Sequence, residues 1–131
     1  LEFIEYYLSQ KINTPSLVII DGIADLVSDV NNLEESNLIV QKLMQWSAKY
    51  NCHIINVIHS NYGTSKMTGH LGSFLEKKCE THIELEANTI NKEWVTVKCK
   101  RSRGYPFETF SFKVNEYGLP VIVDNLYDPL K

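Results

Sequence analysis

A carboxylate closes the first strongly apolar run of the chain. The segment LVIID, residues 17–21, places four apolar residues directly before Asp21, and Gly22 follows. A carboxylate in such surroundings is costly to desolvate unless a hydrogen bond, a cation or a metal ion compensates its charge. Mg²⁺ binds oxygen ligands and keeps much of its water shell, so Asp21 is a candidate magnesium ligand. The alternative is a cap that accepts hydrogen bonds from the backbone of the following turn.

Two further carboxylates, Asp25 and Asp29, follow Asp21 at four-residue intervals. On a helical turn the three side chains would share one face and could form a metal cluster. The alternative is a solvated helix start, where negative charge favours the helix dipole. An α/β enzyme that uses Asp21 and Asp25 as metal ligands for phosphoester hydrolysis therefore stays open as one hypothesis.

A polar triplet ends the second apolar run, CHIINVIHSN, at residues 52–61. If this strand lies beside the first, the triplet of His59, Ser60 and Asn61 lies beside Asp21. His59 or Asn61 would then be placed to hydrogen-bond a phosphate oxygen or an attacking water. The alternative is that the triplet only satisfies backbone groups of a loop.

The densest positive stretch is KCKRSRG, residues 98–104. Strand alternation predicts that Lys98 and Lys100 lie on one face and that Arg101 and Arg103 lie on the other. A hairpin with these cations can reach a phosphate group in its own subunit or a neighbouring one. It can equally form a solvated sheet edge or a nucleic-acid patch.

The elements that must position these residues begin as strand, helix, strand. Apolar spacing predicts a helix over 1–12, which Pro15 ends, and then the strand at 17–21. A second helix is predicted to begin at 33–36, and the strand at 52–61 follows it. Short links without a hairpin turn indicate a βαβ unit, so the two strands should be parallel neighbours. Ligands of such sheets bind beyond the carboxyl ends of the strands.

The rest of the chain predicts a loop at 62–70, a short helix in LGSFLEKKCE, and a third strand in THIELE. The segments WVTVKCKRS and FETFSFKV alternate and predict an antiparallel hairpin, and a last short strand follows. The fold class predicted is α/β, with a mainly parallel sheet flanked by helices and a C-terminal antiparallel hairpin that carries the basic stretch on the same sheet.

Composition narrows the class of protein. The 131 residues are 44% hydrophobic with a net charge of -3, which predicts a single core and no global attraction to polyanions. Three cysteines without a CxxC pair argue against a disulfide framework or a zinc site and favour a cytoplasmic protein. No apolar stretch approaches the ~20 residues of a membrane helix, so no membrane partner is expected. The chain begins at Leu1 without methionine, and we expect residues 1–131 to be a single partial domain of a longer protein.

The order of these segments resembles the second half of a RecA-like P-loop ATPase core. Cores of this type occur in replicative helicases such as DnaB, in plasmid RepA helicases, and in proteins of plasmids and mobilizable transposons. The resemblance runs from about Leu17 to about Val121, and order and spacing carry it. It implies that LVIID is the Walker B strand, with Asp21 binding Mg²⁺ on ATP. It also implies that His59, with Asn61 as second candidate, senses the γ-phosphate.

The same resemblance implies further contacts. Lys66, in the loop at 62–70, would touch DNA. Lys100, Arg101 and Arg103 resemble the basic hairpin that reaches the ATP of a neighbouring subunit, although the spacing before Gly104 is shifted from the family pattern. Such a contact implies a homo-oligomer, either a ring or a filament.

One motif of the family is absent. The sequence contains no GxxxxGK[ST], so the loop that would cradle the phosphates is missing, and we expect these residues alone not to bind ATP tightly. The first hypothesis is a portion of an ATP-dependent motor acting on DNA, with ATP and Mg²⁺ as cofactors and activity only in a full-length protein. The alternative is a degenerate RecA-like binding or scaffold module of a mobile-element protein, without catalysis.

Overall fold

The computed structural model describes residues 1–10, 15–60 and 67–123. The helices are α1 (Glu2–Leu8), α2 (Leu33–Tyr50) and α3 (Gly69–Lys78), with a 3₁₀ turn at Ile23–Leu26. The strands are β1 (Leu17–Asp21), β2 (His53–Val57), β3 (Thr81–Ala87), β4 (Trp94–Ser102), β5 (Phe110–Val114) and β6 (Pro120–Val123). The chain divides into two compact units, Leu1–Lys78 and Cys79–Lys131. Over the described ranges, the helices are all too short or too polar to cross a membrane.

The first unit contains the predicted βαβ arrangement. β1 and β2 pair in parallel, with Leu17 opposite His53 and Asp21 opposite Val57. The prediction of two neighbouring parallel strands is therefore confirmed. Ile20 of β1 belongs to the same buried cluster as Ile39 and Trp46 of α2, whereas the alternate side chains of β1 are exposed.

Local hydrogen bonds fix where α2 begins and ends. The Asn32 side chain accepts hydrogen bonds from the backbone N–H of Glu34, at 3.0 Å, and of Glu35, at 3.1 Å. Such a cap satisfies donors that a helix start otherwise leaves unpaired. Asn51 ends the helix in the left-handed conformation, with φ 50°. The predicted start of this helix at 33–36 is confirmed.

α3 is tied to the loop that precedes α2. The Leu71 N–H donates to the Val30 carbonyl at 3.1 Å. Gly69 begins α3 with φ +66°, and a Cβ built there would lie 2.5 Å from the Val30 oxygen. Both the backbone conformation and this close approach require glycine at position 69.

The second unit is a four-stranded antiparallel sheet in the order β3-β4-β5-β6. The prediction of a RecA-like, mainly parallel sheet with one C-terminal hairpin is therefore wrong. The described strands instead form a two-stranded parallel sheet and a separate four-stranded antiparallel sheet. The predicted hairpin exists as the pairing of β4 with β5, but it is the middle of a larger antiparallel sheet.

The sequence of β3 is consistent with its place in the antiparallel sheet. Glu84 and Glu86 alternate with apolar residues along THIELE. Alternation of polar and apolar residues is typical of antiparallel strands that have one face in solvent. In the antiparallel sheet Glu84 lies opposite Lys98, and the Lys98 side chain forms an ion pair with Glu86. The antiparallel pairing therefore gives the acidic side chains cationic neighbours.

The cap of α2 gives a direct test of this local structure. We expect Asn32→Ala to lower the free energy of unfolding by about 1 kcal/mol, because the N–H groups of Glu34 and Glu35 lose their acceptor. Asn37→Ala is the matched control, since Asn37 is exposed within the same helix and alanine favours helix there. Urea denaturation of both variants measures the difference, and equal losses of stability would contradict the capping role.

Candidate functional site

The carboxyl ends of β1 and β2 bring Asp21 and His59 to the same edge of the first sheet. Asp21 is the last residue of β1 and lies opposite Val57, the last residue of β2. His59 follows two residues later, and the Asp21 and His59 side chains are both exposed. The predicted placement of a carboxylate and a histidine at one strand edge therefore agrees with the pairing of the strands.

Thr68 and Met67 hold the chain that leaves β2. The His59 carbonyl accepts a hydrogen bond from Thr68 Oγ1 at 2.9 Å, and Ser60 forms an isolated antiparallel bridge with Met67. These contacts join the segment after β2 to the segment that enters α3. The His59 backbone is thereby held beside the segment that enters α3, and the His59 side chain is exposed.

Asp21, Asp25 and Asp29 do not form the metal cluster that was one interpretation of their four-residue spacing. Within the described residues, no group of three His, Cys, Asp or Glu side chains could hold a metal ion. The segment that contains Asp25 is a 3₁₀ turn rather than an α-helix, so a four-residue interval does not stack the side chains. Asp29 instead accepts a hydrogen bond from the Asn31 N–H at 2.8 Å.

Asp21 is a single exposed carboxylate, of the type that binds Mg²⁺. Mg²⁺ commonly takes one or two carboxylates and completes its octahedron with water and phosphate oxygens. The turn after β1 closes through a backbone hydrogen bond from Asp25 N–H to the Gly22 carbonyl at 3.1 Å, so that bond does not engage the Asp21 carboxylate. An exposed carboxylate at this edge fits such an ion, although the sequence holds no phosphate-cradling loop.

Two candidate residues lie outside the described residues. These are Asn61, the second candidate for sensing a phosphate, and Lys66, the candidate DNA contact. Of the loop predicted at 62–70, only residues 67–70 are described, and Gly69 and His70 already belong to α3.

The basic stretch lies on β4 and the turn that follows it. β4 belongs to the four-stranded sheet, so the prediction that this stretch shares a sheet with Asp21 is wrong. β4 pairs with its sequence neighbours β3 and β5, both antiparallel, and the described pairing includes neither β1 nor β2.

A β-bulge changes which cations share a face. Arg101 lies opposite His82, but the next pair is Cys99 with Ile83, which leaves Lys100 as the extra residue. Because opposite residues share a face of the sheet, Arg101 lies on the same face as His82.

His82 and Glu84 share one face of β3 by alternation, and Lys98 lies opposite Glu84. The Lys100 ammonium lies 3.0 Å from a Glu84 carboxylate oxygen. Lys98, Lys100 and Arg101 therefore all belong to the face of Glu84. The prediction that strand alternation separates Arg101 from the two lysines is wrong, because the bulge inserts one residue between them.

Acidic residues of β3 partly compensate the lysines. A hydrogen bond from Lys98 lowers the pKa of Glu86, and the same bond to Glu86 raises the pKa of Lys98. Arg103 is held differently, because its Nε donates to the Cys79 carbonyl at 3.2 Å and its backbone N–H donates to the Glu80 carbonyl at 3.0 Å.

Sequence reasoning missed the aromatic residues that follow the basic stretch. Tyr105 is fully exposed, at 101% of its reference area, and Phe107 is 37% exposed. The Phe107 ring contacts that of Phe110, with centroids 6.0 Å apart. The signal was present in RSRGYPF, where two cations are followed by two aromatics, since nucleic-acid surfaces combine the two.

Comparison with known proteins does not identify the chain. No protein-family model matches it, and a comparison with curated proteins finds no significant match.

The ion pair of Lys98 with Glu86 predicts how stability depends on pH. Because folding lowers the pKa of Glu86 below its ordinary value of 4.5, the contribution of the pair is present above that value. It is lost as the pH falls through the lowered pKa. We therefore expect stability to fall less steeply with acid in Glu86→Gln than in the wild type.

Urea denaturation at a series of pH values from ~6 down to ~2 measures this difference, because stability changes wherever the two states bind different numbers of protons. Glu116→Gln is the matched control, since Glu116 is exposed in the turn between β5 and β6 and should leave the pH profile unchanged. Identical profiles for Glu86→Gln and the wild type would contradict the stabilising role of the pair.

Proposed function

We propose that this chain is a portion of an ATP-dependent motor that acts on DNA in the cytoplasm. One observation carries the proposal: β1 and β2 pair in parallel and in register, with the exposed Asp21 opposite the last residue of β2. In α/β proteins the carboxyl edge of adjacent parallel strands is where ligands bind. The resemblance of the segment order to RecA-like ATPases supports the nucleotide as that ligand.

Each candidate residue has a role in this proposal. Asp21 holds the Mg²⁺ of ATP, and His59, with Asn61 as second candidate, orients the γ-phosphate or the attacking water. The bound ion supplies charge neutralisation for phosphoryl transfer. The phosphate-cradling loop belongs to a part of the motor outside these residues.

The cations of β4 act between subunits of a homo-oligomer in this proposal. Lys100, Arg101 and Arg103 neutralise charge on the ATP of a neighbouring subunit, as arginine fingers do in other phosphoryl-transfer enzymes. Lys100 must leave Glu84 to do so. Lys66, in the loop at 62–70, is the proposed DNA contact.

A second candidate function is a non-catalytic binding or scaffold module. The exposed apolar face of the four-stranded sheet favours it, since Leu85 is 62% exposed and Ile122 is 68% exposed. Apolar sheet faces are normally covered by another layer, and a large exposed patch marks an interaction surface. This candidate predicts a full-length protein that binds its partner but does not hydrolyse ATP.

Substitution of the magnesium ligand tests the motor proposal. We expect Asp21→Asn in the full-length protein to lower ATP turnover by at least about 100-fold, because the ion loses its protein carboxylate. Asp25→Asn is the matched control, since Asp25 is an exposed carboxylate four residues later, and its turnover should equal that of the wild type. Steady-state phosphate release measures both variants, and circular dichroism checks that they fold.

Unchanged turnover in Asp21→Asn would contradict the motor proposal. Absence of turnover in the wild-type full-length protein, with DNA binding retained, would favour the scaffold candidate instead.

A mixing experiment tests whether the basic residues act between subunits. Arg101→Ala subunits keep Asp21, and Asp21→Asn subunits keep Arg101, so a mixed oligomer contains some complete sites. We expect each variant alone to have low turnover and the mixture to recover part of it.

Lys92→Ala is the control for loss of a positive charge, because Lys92 is exposed in the connection between β3 and β4. A mixture no more active than its separate components would show that Arg101 does not complete a neighbouring site.

A further inference from the structure

The connection that follows β4 combines exposed aromatic side chains with positive charge. Tyr105 is 101% exposed and Phe107 is 37% exposed. Residues 98–107 contain four cations and no acidic residue. Single exposed aromatics are common on protein surfaces, but aromatics beside cations are the combination that binds bases and phosphates together.

Backbone contacts hold this connection in a defined conformation. The Gly104 N–H donates to Ser102 Oγ at 3.2 Å, and the Arg103 N–H donates to the Glu80 carbonyl at 3.0 Å. Tyr105 directly precedes Pro106, which restricts its backbone to extended conformations. A fixed, extended backbone lowers the entropy that a ligand must overcome when Tyr105 is ordered on binding.

The space beside Gly104 is open. Apart from its chain neighbours Arg103 and Tyr105, the nearest described atom to a Cβ built on Gly104 would be Ser102 Oγ, at 3.9 Å. Tyr105 follows Arg103 by two residues, so their Cα atoms lie within about 7.6 Å, because consecutive Cα atoms are ~3.8 Å apart. A ligand that approaches Gly104 can therefore reach the Tyr105 ring and the Arg103 guanidinium at the same time.

We infer that residues 101–107 bind single-stranded nucleic acid. Tyr105 and Phe107 stack on unpaired bases. In the absence of nucleotide, Arg101 and Arg103, which the motor proposal assigns to the ATP of a neighbouring subunit, attract the phosphates beside these bases. Aromatic side chains cannot stack in this way on bases that are already paired within a duplex, so the surface selects single strands. The inference rests on the proposed function in taking nucleic acid as the partner, and it adds the surface and the form of the polymer.

A pair of tyrosine variants tests the inference. Fluorescence anisotropy of a labelled oligo-dT of about 16 nucleotides, a length that covers the site sizes of single-strand binding proteins, reports binding to the whole chain. We expect an affinity in the micromolar range that weakens with salt. Tyr105→Ala should weaken it about tenfold or more, because one stacking contact is lost. Tyr105→Trp should retain it.

Tyr117→Ala is the matched control. Tyr117 is 79% exposed and lies in the turn between β5 and β6, so it has the same chemistry at another loop of the same sheet. Its substitution should leave the affinity unchanged. Arg101→Gln should reduce the slope of log affinity against log salt by about 1, whereas Lys92→Gln should not.

Competition with oligo-rU and with blunt DNA duplex distinguishes the forms of polymer. Competition by either single strand, with weak competition by duplex, supports the inference. Equal competition by duplex, equal effects of Tyr105→Ala and Tyr117→Ala, or no binding at ~100 µM protein, the weak limit of non-specific binding, would overturn it.

The measurements contain neither ATP nor Mg²⁺, so the two proposals fail separately. Loss of binding in Tyr105→Ala, with unchanged turnover in Asp21→Asn, would support the nucleic-acid surface and contradict the motor proposal. Unchanged binding in Tyr105→Ala, with loss of turnover in Asp21→Asn, would support the motor proposal and contradict this surface.

Discussion

The pairing of β1 with β2 depends on the single face that these strands present to α2. Ile20 packs with Ile39, Leu43 and Trp46 in one buried cluster, and each such side chain contributes roughly 1.5–3 kcal/mol by leaving water. A slip of β1 by one residue would turn Ile20 outward and bring Asp21 toward α2. The cost of burying a carboxylate therefore adds to the loss of apolar packing, and together they keep Asp21 at the solvent face of the strand edge.

This constraint explains why the βαβ part was predictable from the sequence. Its information is local, because two continuous apolar runs are separated by one amphipathic helix with an asparagine cap at Asn32. The carboxyl-edge position of Asp21 and His59 followed from that order alone. The fold class was wrong at β3, which pairs with the next strand, β4, and not with β1 or β2. Lys98 of β4 lies opposite Glu84 and forms an ion pair with Glu86, so the partners of these glutamates come from a segment that follows β3 in the sequence.

The face of Arg101 shows a second limit of sequence reasoning. Period-two alternation assigns faces correctly only while each residue has one partner. The extra residue at Lys100 reverses the assignment for every residue that follows in β4. No sequence pattern in KCKRS distinguishes a bulged from a regular strand. The ion pair of Lys100 with Glu84, at 3.0 Å, and the register of Arg101 with His82 establish the bulge from structure.

Carboxylates of β3 pair with both lysines of β4. Glu84 and Glu86 engage Lys100 and Lys98, and these two carboxylates compensate the lysines before any ligand arrives. A phosphate must displace a carboxylate to reach either lysine. Arg103 donates from Nε to the Cys79 carbonyl and from its backbone N–H to the Glu80 carbonyl.

A guanidinium is also weakly hydrated and planar, so it can stack beside an aromatic ring while it contacts a phosphate. Within β4 and the connection after it, Lys98 and Lys100 thus have carboxylate partners on β3. Arg103 lies beyond the last residue of β4, two residues before the exposed Tyr105.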